Sequence, residues 1–357
     1  SEPMKKIDIS LLLSVILLTL FGLFMIFDAS SFVAYRDFAD KYHYVKDQFI
    51  WVILGFIALA FFSYFDYHRL YSLAIPILAI ALILLILVFV PGVGVYLLGA
   101  NRWIDTGIFI LQPAEFVKLA LAIYLSAWFS NKEKGRLFAF LLLMVLVLGL
   151  VILQPDMGTT AIILSEALVI YFLSGAKIAH LFLLVPFVAF LGFLFIKFSP
   201  YRVKRLESFL NVNESIESSS YHVKQILIAL GAGGITGVGL GNSIQKYAYL
   251  PESTTDSIFA IIAEELGFIG ATVLILFFIF IFARCFYIAV NAKDNFAKLL
   301  GAGITTFLAV QCIINLAAQT ALVPLTGIPL PFISYGGSSL IVDLAAIGII
   351  LNISKNS

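Results

Sequence analysis

The chain has 357 residues, of which 62% are hydrophobic and 12% charged, with a formal net charge of +1. No soluble domain of this length needs so many apolar side chains, so the composition specifies a polytopic membrane protein. The near-neutral balance, with no clustered basic face, excludes a nucleic-acid partner. Cys285 and Cys312 both lie in apolar stretches, which argues against a structural disulfide or a metal site. Ser1-Glu2-Pro3 ahead of Met4 reads as a cloning remnant, leaving 4–357 as a single membrane domain.

Apolar runs long enough to cross a hydrocarbon core, roughly 20 residues each, fall at about 9–29, 48–64, 70–91, 115–130, 136–152, 157–174, 178–197, 256–283, 299–320 and 338–353. The expected fold is therefore all-α, with about ten transmembrane helices. Lys5, Lys6, Arg69, Lys132, Lys134, Arg136, Lys177, Arg284, Lys293, Lys298 and Lys355 gather at one set of span ends, which the positive-inside rule makes cytoplasmic. Both termini are then cytoplasmic, and the loop at about 198–255, between the seventh and eighth spans, is extracytoplasmic.

That loop is far longer than an ordinary connection. It opens with the basic Tyr201-Arg202-Val203-Lys204-Arg205, either snorkelling at the interface or meeting an anionic headgroup. A polar tip follows at Asn211 to Ser220, then helical spacing over Tyr221 to Leu230, then glycine-rich Gly231 to Gly241. The glycine run is no phosphate-binding P-loop, because no Gly-Lys-Ser/Thr follows it.

Polar chemistry meets the longest apolar run at Gln245 to Gly270. Pro251 cannot continue a helix and Ser253, Thr254 and Thr255 favour helix starts, so a long helix is expected to begin near Asp256. Asp256, Ala260, Ala263, Gly267 and Gly270 then share one face, a small-residue seam open to close backbone approach. Asp256 has two readings: a capping acid paired with Ser253, or a carboxylate facing a substrate at the outer surface.

Charges inside spans cost about 2.5–3.5 kcal/mol each and need a partner or a cavity. Glu115 and Lys118 stand three apart on one helix face and either form a local structural pair or share a polar cavity with the embedded Glu166, Glu264 and Glu265. Asn101 to Asp105, Gln154 to Thr159 and Pro324 to Ser339 are each expected to be turns at span ends, with Asp156 and Ser338 as caps when taken singly. Together they form a polar rim on one face. No Asp-x-Asp motif, no His/Cys metal spacing and no Gly-x-Ser-x-Gly elbow occurs, which argues against a nucleotide-sugar enzyme or a hydrolase.

Five blocks in order carry a resemblance: Asn101-Arg102-Trp103-Ile104, Gln112-Pro113-Ala114-Glu115-Phe116-Val117-Lys118, Gln154-Pro155-Asp156-Met157-Gly158-Thr159, the Tyr249-Leu250-Pro251-Glu252 to Glu264-Glu265-Leu266-Gly267 block, and Pro329 to Ser339. The sequence resembles the SEDS family of peptidoglycan glycosyltransferases, of FtsW, RodA and SpoVE type. Gly239 to Tyr247 looks more like FtsW than RodA, which favours division over elongation. Ser257 departs from the family, which usually has Phe after the aspartate.

The resemblance implies polymerisation of lipid II, a class B penicillin-binding protein as transpeptidase partner, and other division proteins in the same membrane. It implies Asp256 as general base, with Arg102, Lys118 and Lys246 as candidates to stabilise the leaving pyrophosphate, and Glu115, Ser334 and Ser338 as further substrate-binding positions. A divalent cation, Mg or Mn, would share that charge. The rival readings are a transporter of the same lipid-linked sugar, an elongation polymerase, and a scaffold that would leave the buried charges without a purpose.

Overall fold

The computed structural model describes residues 7–97, 100–107, 109–131, 135–177, 218–247 and 249–355, with single positions between 179 and 206. The described helices are α1 (Ile9–Phe38), α2 (His43–Tyr64), α3 (His68–Leu87), α4 (Pro113–Phe129), α5 (Leu137–Leu153), α6 (Met157–Leu173), α7 (Ser218–Gly233), α8 (Ile258–Val290), α9 (Asn295–Gln319) and α10 (Gly337–Lys355). By length and composition α1, α2, α3, α8, α9 and α10 can each cross a membrane, and α5 and α6 are shorter apolar helices. Every expected span except the seventh coincides with a helix. Of that seventh span at 178–197 and the basic Tyr201 to Arg205 only scattered positions are described, and the tip from 211 to 217 lies outside the described residues.

Helix starts follow local chemistry. The Asp8, Asp156 and Asp294 carboxylates accept from the third following backbone N–H, Leu11, Thr159 and Ala297, at 3.0, 3.0 and 2.8 Å, and so cap α1, α6 and α9. Pro113 opens α4, where its missing N–H has no partner to lose. The two chain ends meet at one end of the bundle: Asp8 N–H donates to Ser354 Oγ at 3.2 Å, and Lys355 Nζ donates to the Ser63 carbonyl at 2.8 Å. At the opposite end gather the turns around Asp40, Pro155, Glu252 and Phe332.

The sheet was not expected. Strands β1 (Gly94–Leu97), β2 (Ala100–Asp105) and β3 (Ile110–Leu111) form an antiparallel sheet in the order β1-β2-β3, so Asn101 to Asp105 is a strand and not a turn. Its pairs Gly94 with Ile104 and Ile104 with Leu111 give the long α3–α4 connection internal hydrogen bonds. In the core, α10 packs along α2, and α9 runs between α4, α6 and α8.

Helix α8 is not one continuous rod. Gly267 has φ 68° and ψ −169°, a conformation essentially closed to residues with a Cβ. The helical ladder breaks there, and the glycine-rich segment takes up the loose ends. Val238 and Gly239 donate to the Glu264 and Glu265 carbonyls at 3.0 Å each, while Phe268 and Ile269 donate to the Gly234 and Ile235 carbonyls at 2.9 and 3.1 Å. A Cβ on Gly267 would lie 2.2 Å from Gly237 N, and one on Gly237 would lie 2.0 Å from Glu265 O. This last part of the long loop therefore enters the bundle instead of lying outside it. Before the break α8 is buried from Ile258 to Glu265; after it Phe268, Val273, Leu276 and Ile279 are exposed, a face suited to lipid.

Candidate active site

The expected helix start is displaced by two residues. Ser257 is the N-cap of α8 and makes no side-chain capping bond, so Asp256 lies just ahead of the helix in the turn from Pro251. The capping reading with Ser253 fails for that reason. Asp256 is half-buried, and its backbone is clamped from three sides. Asn315 Nδ2 donates to its carbonyl at 2.9 Å and Gln319 Nε2 donates to the same oxygen. Ser334 Oγ donates to the Thr255 carbonyl at 2.6 Å, and Tyr335 N–H donates to the Thr254 carbonyl at 2.9 Å. Gln48 on α2 braces the 334–336 segment in turn, donating to the Ser334 carbonyl at 3.4 Å and accepting from Gly336 N–H at 3.3 Å.

Ser257, the residue that departs from the resemblance, makes a polar contact here. Its buried hydroxyl pairs with His222 Nε2 of α7 at 2.7 Å. The long loop is thereby tied to the residue next to Asp256.

One turn-spaced ladder on α9 joins this turn to the embedded charges. Gln311, Asn315 and Gln319 are all buried and recur every four residues, hence on one face. Gln311 accepts from Lys118 Nζ at 2.5 Å and donates to the Pro329 carbonyl and to Ser339 Oγ at 3.3 Å each. Asn315 also holds the Ile328 carbonyl at 2.7 Å. The ladder thus fixes the 328–334 segment and the Asp256 turn relative to Lys118. None of the three amides stood out in the sequence, although a row of amides on an apolar helix was a readable sign of buried partners.

Lys118 and Glu115 form an ion pair at 2.8 Å that lacks good hydrogen-bond alignment, and the ammonium is fully enclosed. Glu166 and Asp343 also face this charge from α6 and α10. Lys118, Glu115, Glu166 and Asp343 are all buried, so the group is an enclosed cluster of charges. Ser338 accepts from Gln112 N–H at 3.1 Å, joining the first turn of α10 to the start of α4.

Two expected pyrophosphate ligands have other partners. Arg102 on β2 donates through Nε to the Gln154 carbonyl at 2.9 Å and through Nη2 to the Pro155 carbonyl, closing the α5–α6 turn. Lys246 Nζ contacts both oxygens of Asp28 at 2.9 and 3.0 Å and Glu265 Oε1 at 2.9 Å. Burial opposes the charge on Lys246, but bonding to Asp28 and Glu265 outweighs it and raises its pKa above the usual lysine value. Glu264 accepts from Ser243 Oγ and Ile244 N–H, and Glu265 from Gly241 and Ser243 N–H. The paired carboxylates therefore staple the loop beside the break in α8. Asp256 and Ser334 are the predicted site residues that share one turn assembly; Glu115 and Lys118 belong to the enclosed charge cluster, and Ser338 ties α10 to the start of α4.

The profile of the cell cycle protein family of FtsW, RodA and SpoVE matches residues 8–357. Stage V sporulation protein E of Bacillus subtilis is 40% identical over 357 residues, covering 98% of this chain and 97% of that one. A probable peptidoglycan glycosyltransferase FtsW of Trichlorobacter lovleyi is 38% identical, covering 98% and 94%. Among solved structures, a chain of a peptidoglycan synthase complex that coordinates polymerization and crosslinking superposes with a TM-score of 0.80 at 27% identity, covering 98% and 97%. The rod shape determining protein RodA of Thermus thermophilus gives 0.72 at 27% identity, covering 98% and 96%. With the match running from the first turn of α1 to the chain's end, this chain belongs to the FtsW/RodA/SpoVE family of cell cycle proteins.

Proposed function

We propose that this chain is a peptidoglycan glycosyltransferase that polymerises lipid II at the outer face of the bacterial cytoplasmic membrane, with both termini in the cytoplasm. The observation that carries the proposal is the clamped Asp256 turn: a half-buried carboxylate just ahead of the α8 N-cap, on a backbone held by Asn315, Gln319 and Ser334. Such bracing is what a general base needs, because its value depends on holding one geometry against the reacting hydroxyl. In the proposed reaction Asp256 takes the proton from the 4-hydroxyl of the acceptor sugar as that oxygen attacks the donor's anomeric carbon. The bond to polyprenyl pyrophosphate breaks as the new glycosidic bond forms.

Among the described residues no group of three acidic, His or Cys side chains is arranged to hold a metal ion. The donor set does not fit a protein-held metal, and a divalent cation would instead accompany the substrate's pyrophosphate. The partner would be a transpeptidase of the class B penicillin-binding type, supported by the likeness to a chain of a synthase complex that also crosslinks. Relatives named FtsW favour a role in division.

The broken helix α8 supports a second reading, transport of the lipid-linked sugar, because discontinuous helices recur in transporters. Incubating the purified chain with lipid II, with and without a transpeptidase partner, and resolving products by length separates the two. Polymer supports the glycosyltransferase; movement of lipid across proteoliposomes without polymer would overturn it.

A further inference from the structure

Beside the Asp256 turn lies a hollow of about 280 Å³, formed between the α1 and α2 ends and the Leu250–Thr254 turn. Its wall carries Arg36, Tyr44, Glu252 and Ser30. We infer that this hollow seats the peptide stem of the lipid-linked substrate, with Arg36 facing a stem carboxylate and Glu252 a stem ammonium. The inference rests on the glycosyltransferase reading above and adds a second contact region to it.

Three independent features point to a ligand. Ser30 is completely buried from solvent, lines the hollow, and its hydroxyl has no hydrogen-bond partner, although a helical serine ordinarily satisfies itself on the preceding turn. Glu252 has φ 50°, a left-handed conformation uncommon for a residue with a long side chain, and its carbonyl accepts from Thr255 and Ser257 N–H at 3.2 and 3.0 Å. Glu252 lines the hollow, its carboxylate accepts from Thr255 Oγ1 at 2.8 Å, and its left-handed backbone also shapes the turn bearing Asp256. Finally, Arg36 is bound only to its neighbour Asp37, at 2.6 and 3.1 Å, in a pair whose side chains are 54% and 37% exposed. Pairs of that kind are worth little and exchange readily for a better-desolvated carboxylate.

The chemistry suits a short peptide. A guanidinium and a carboxylate lining one hollow match a ligand bearing both charges, and the hydroxyls of Tyr44 and Thr254 supply neutral donors for main-chain carbonyls. Glu252 and Asp256 belong to one turn with three residues between them, so a stem held here leaves the attached sugar within reach of the proposed base.

The test compares binding of two probes to the full chain in detergent by native mass spectrometry: the lipid-linked disaccharide with its peptide stem, and the same lipid with the peptide removed. Arg36→Ala and Glu252→Gln should each raise Kd for the stem-bearing lipid about tenfold, the loss of one charged hydrogen bond, while shifting the peptide-free lipid less than about twofold. Gln at 252 can still accept from Thr255, which keeps the turn. Ser30→Val fills the hollow from its buried side and should give the same selectivity. Equal weakening of both lipids would assign the hollow to sugar or pyrophosphate and overturn the inference, as would unchanged binding of both. Binding is read without turnover, so a wild-type chain that made no polymer would count against the glycosyltransferase and leave the stem result readable.

Discussion

Asn315 donates its side-chain amide to the Asp256 carbonyl at 2.9 Å, from a helix that is distant in sequence but adjacent in space. Because the bond goes to the main chain, it fixes where Asp256 stands without consuming the carboxylate. Asn315→Ala should remove this bond and the one to Ile328, costing about 1–3 kcal/mol of stability for the buried groups left unpaired. As a positioning residue it should lower kcat at least about tenfold with little change in KM. Steady-state polymerisation with thermal melting tests this; a KM effect alone would argue that Asn315 touches substrate.

Gly267→Ala should be among the most damaging single substitutions in α8. The added methyl would lie 2.2 Å from Gly237 N, and the backbone angles admit only glycine. A loss above about 4 kcal/mol, or failure to recover folded protein, is expected. Melting in detergent decides it, and a variant within about 0.5 kcal/mol of wild type would contradict the break.

The spans were legible because hydropathy over roughly 20 residues is a strong signal. The break in α8 was not, since Glu264-Glu265-Leu266-Gly267 reads as ordinary helix interior and a lone glycine costs a helix only about 1 kcal/mol. What makes Gly267 a break is a segment some thirty residues earlier, and such pairings leave no local trace. Asp256 and Ser334 could be picked as site residues, whereas their meeting depends on α9 amides that each looked like an isolated polar residue in a span. For Lys118 and Glu115 the helical spacing anticipated the pair, but the enclosing Gln311, Glu166 and Asp343 come from three other helices.

Lys118→Met should leave Glu115, Gln311 and neighbouring acids without their cation, destabilising by about 3–5 kcal/mol. Adding Glu115→Gln should restore part of that loss. If the cluster only supports the fold, polymerisation should return along with stability. Activity that stays lost in a restabilised double variant would give Lys118 a direct role with substrate, and a double-mutant cycle in melting and rate distinguishes the two.

The Lys246 cluster gives a pH signature. Its pKa is raised in the fold, so its stabilisation is fully present below the unfolded value near 10.5 and is lost as pH rises through the folded value. The difference in melting temperature between wild type and Lys246→Met should therefore be flat from neutral pH to about 10 and shrink above it. A difference that grew with pH would show that Asp28 and Glu265 do not hold the ammonium as described.

The sharpest prediction concerns Asp256. Ser257, not Asp256, is the N-cap of α8, and Asn can accept the same side-chain hydrogen bonds as Asp, so Asp256→Asn, which keeps shape and removes basicity, should leave the helix start and its stability unchanged. The clamps from Asn315, Gln319 and Ser334 act on backbone atoms and survive the substitution. A general base contributes roughly 100- to 10,000-fold in rate, so both Asp256→Asn and Asp256→Ala should nearly abolish glycan synthesis while lipid II still binds. A transporter would behave otherwise, with the wild type making no polymer and lipid movement depending on the embedded charges. Assays of polymer length, lipid binding and melting on the same three preparations separate these outcomes. An active Asp256→Asn variant would exclude the base, whatever the binding data showed.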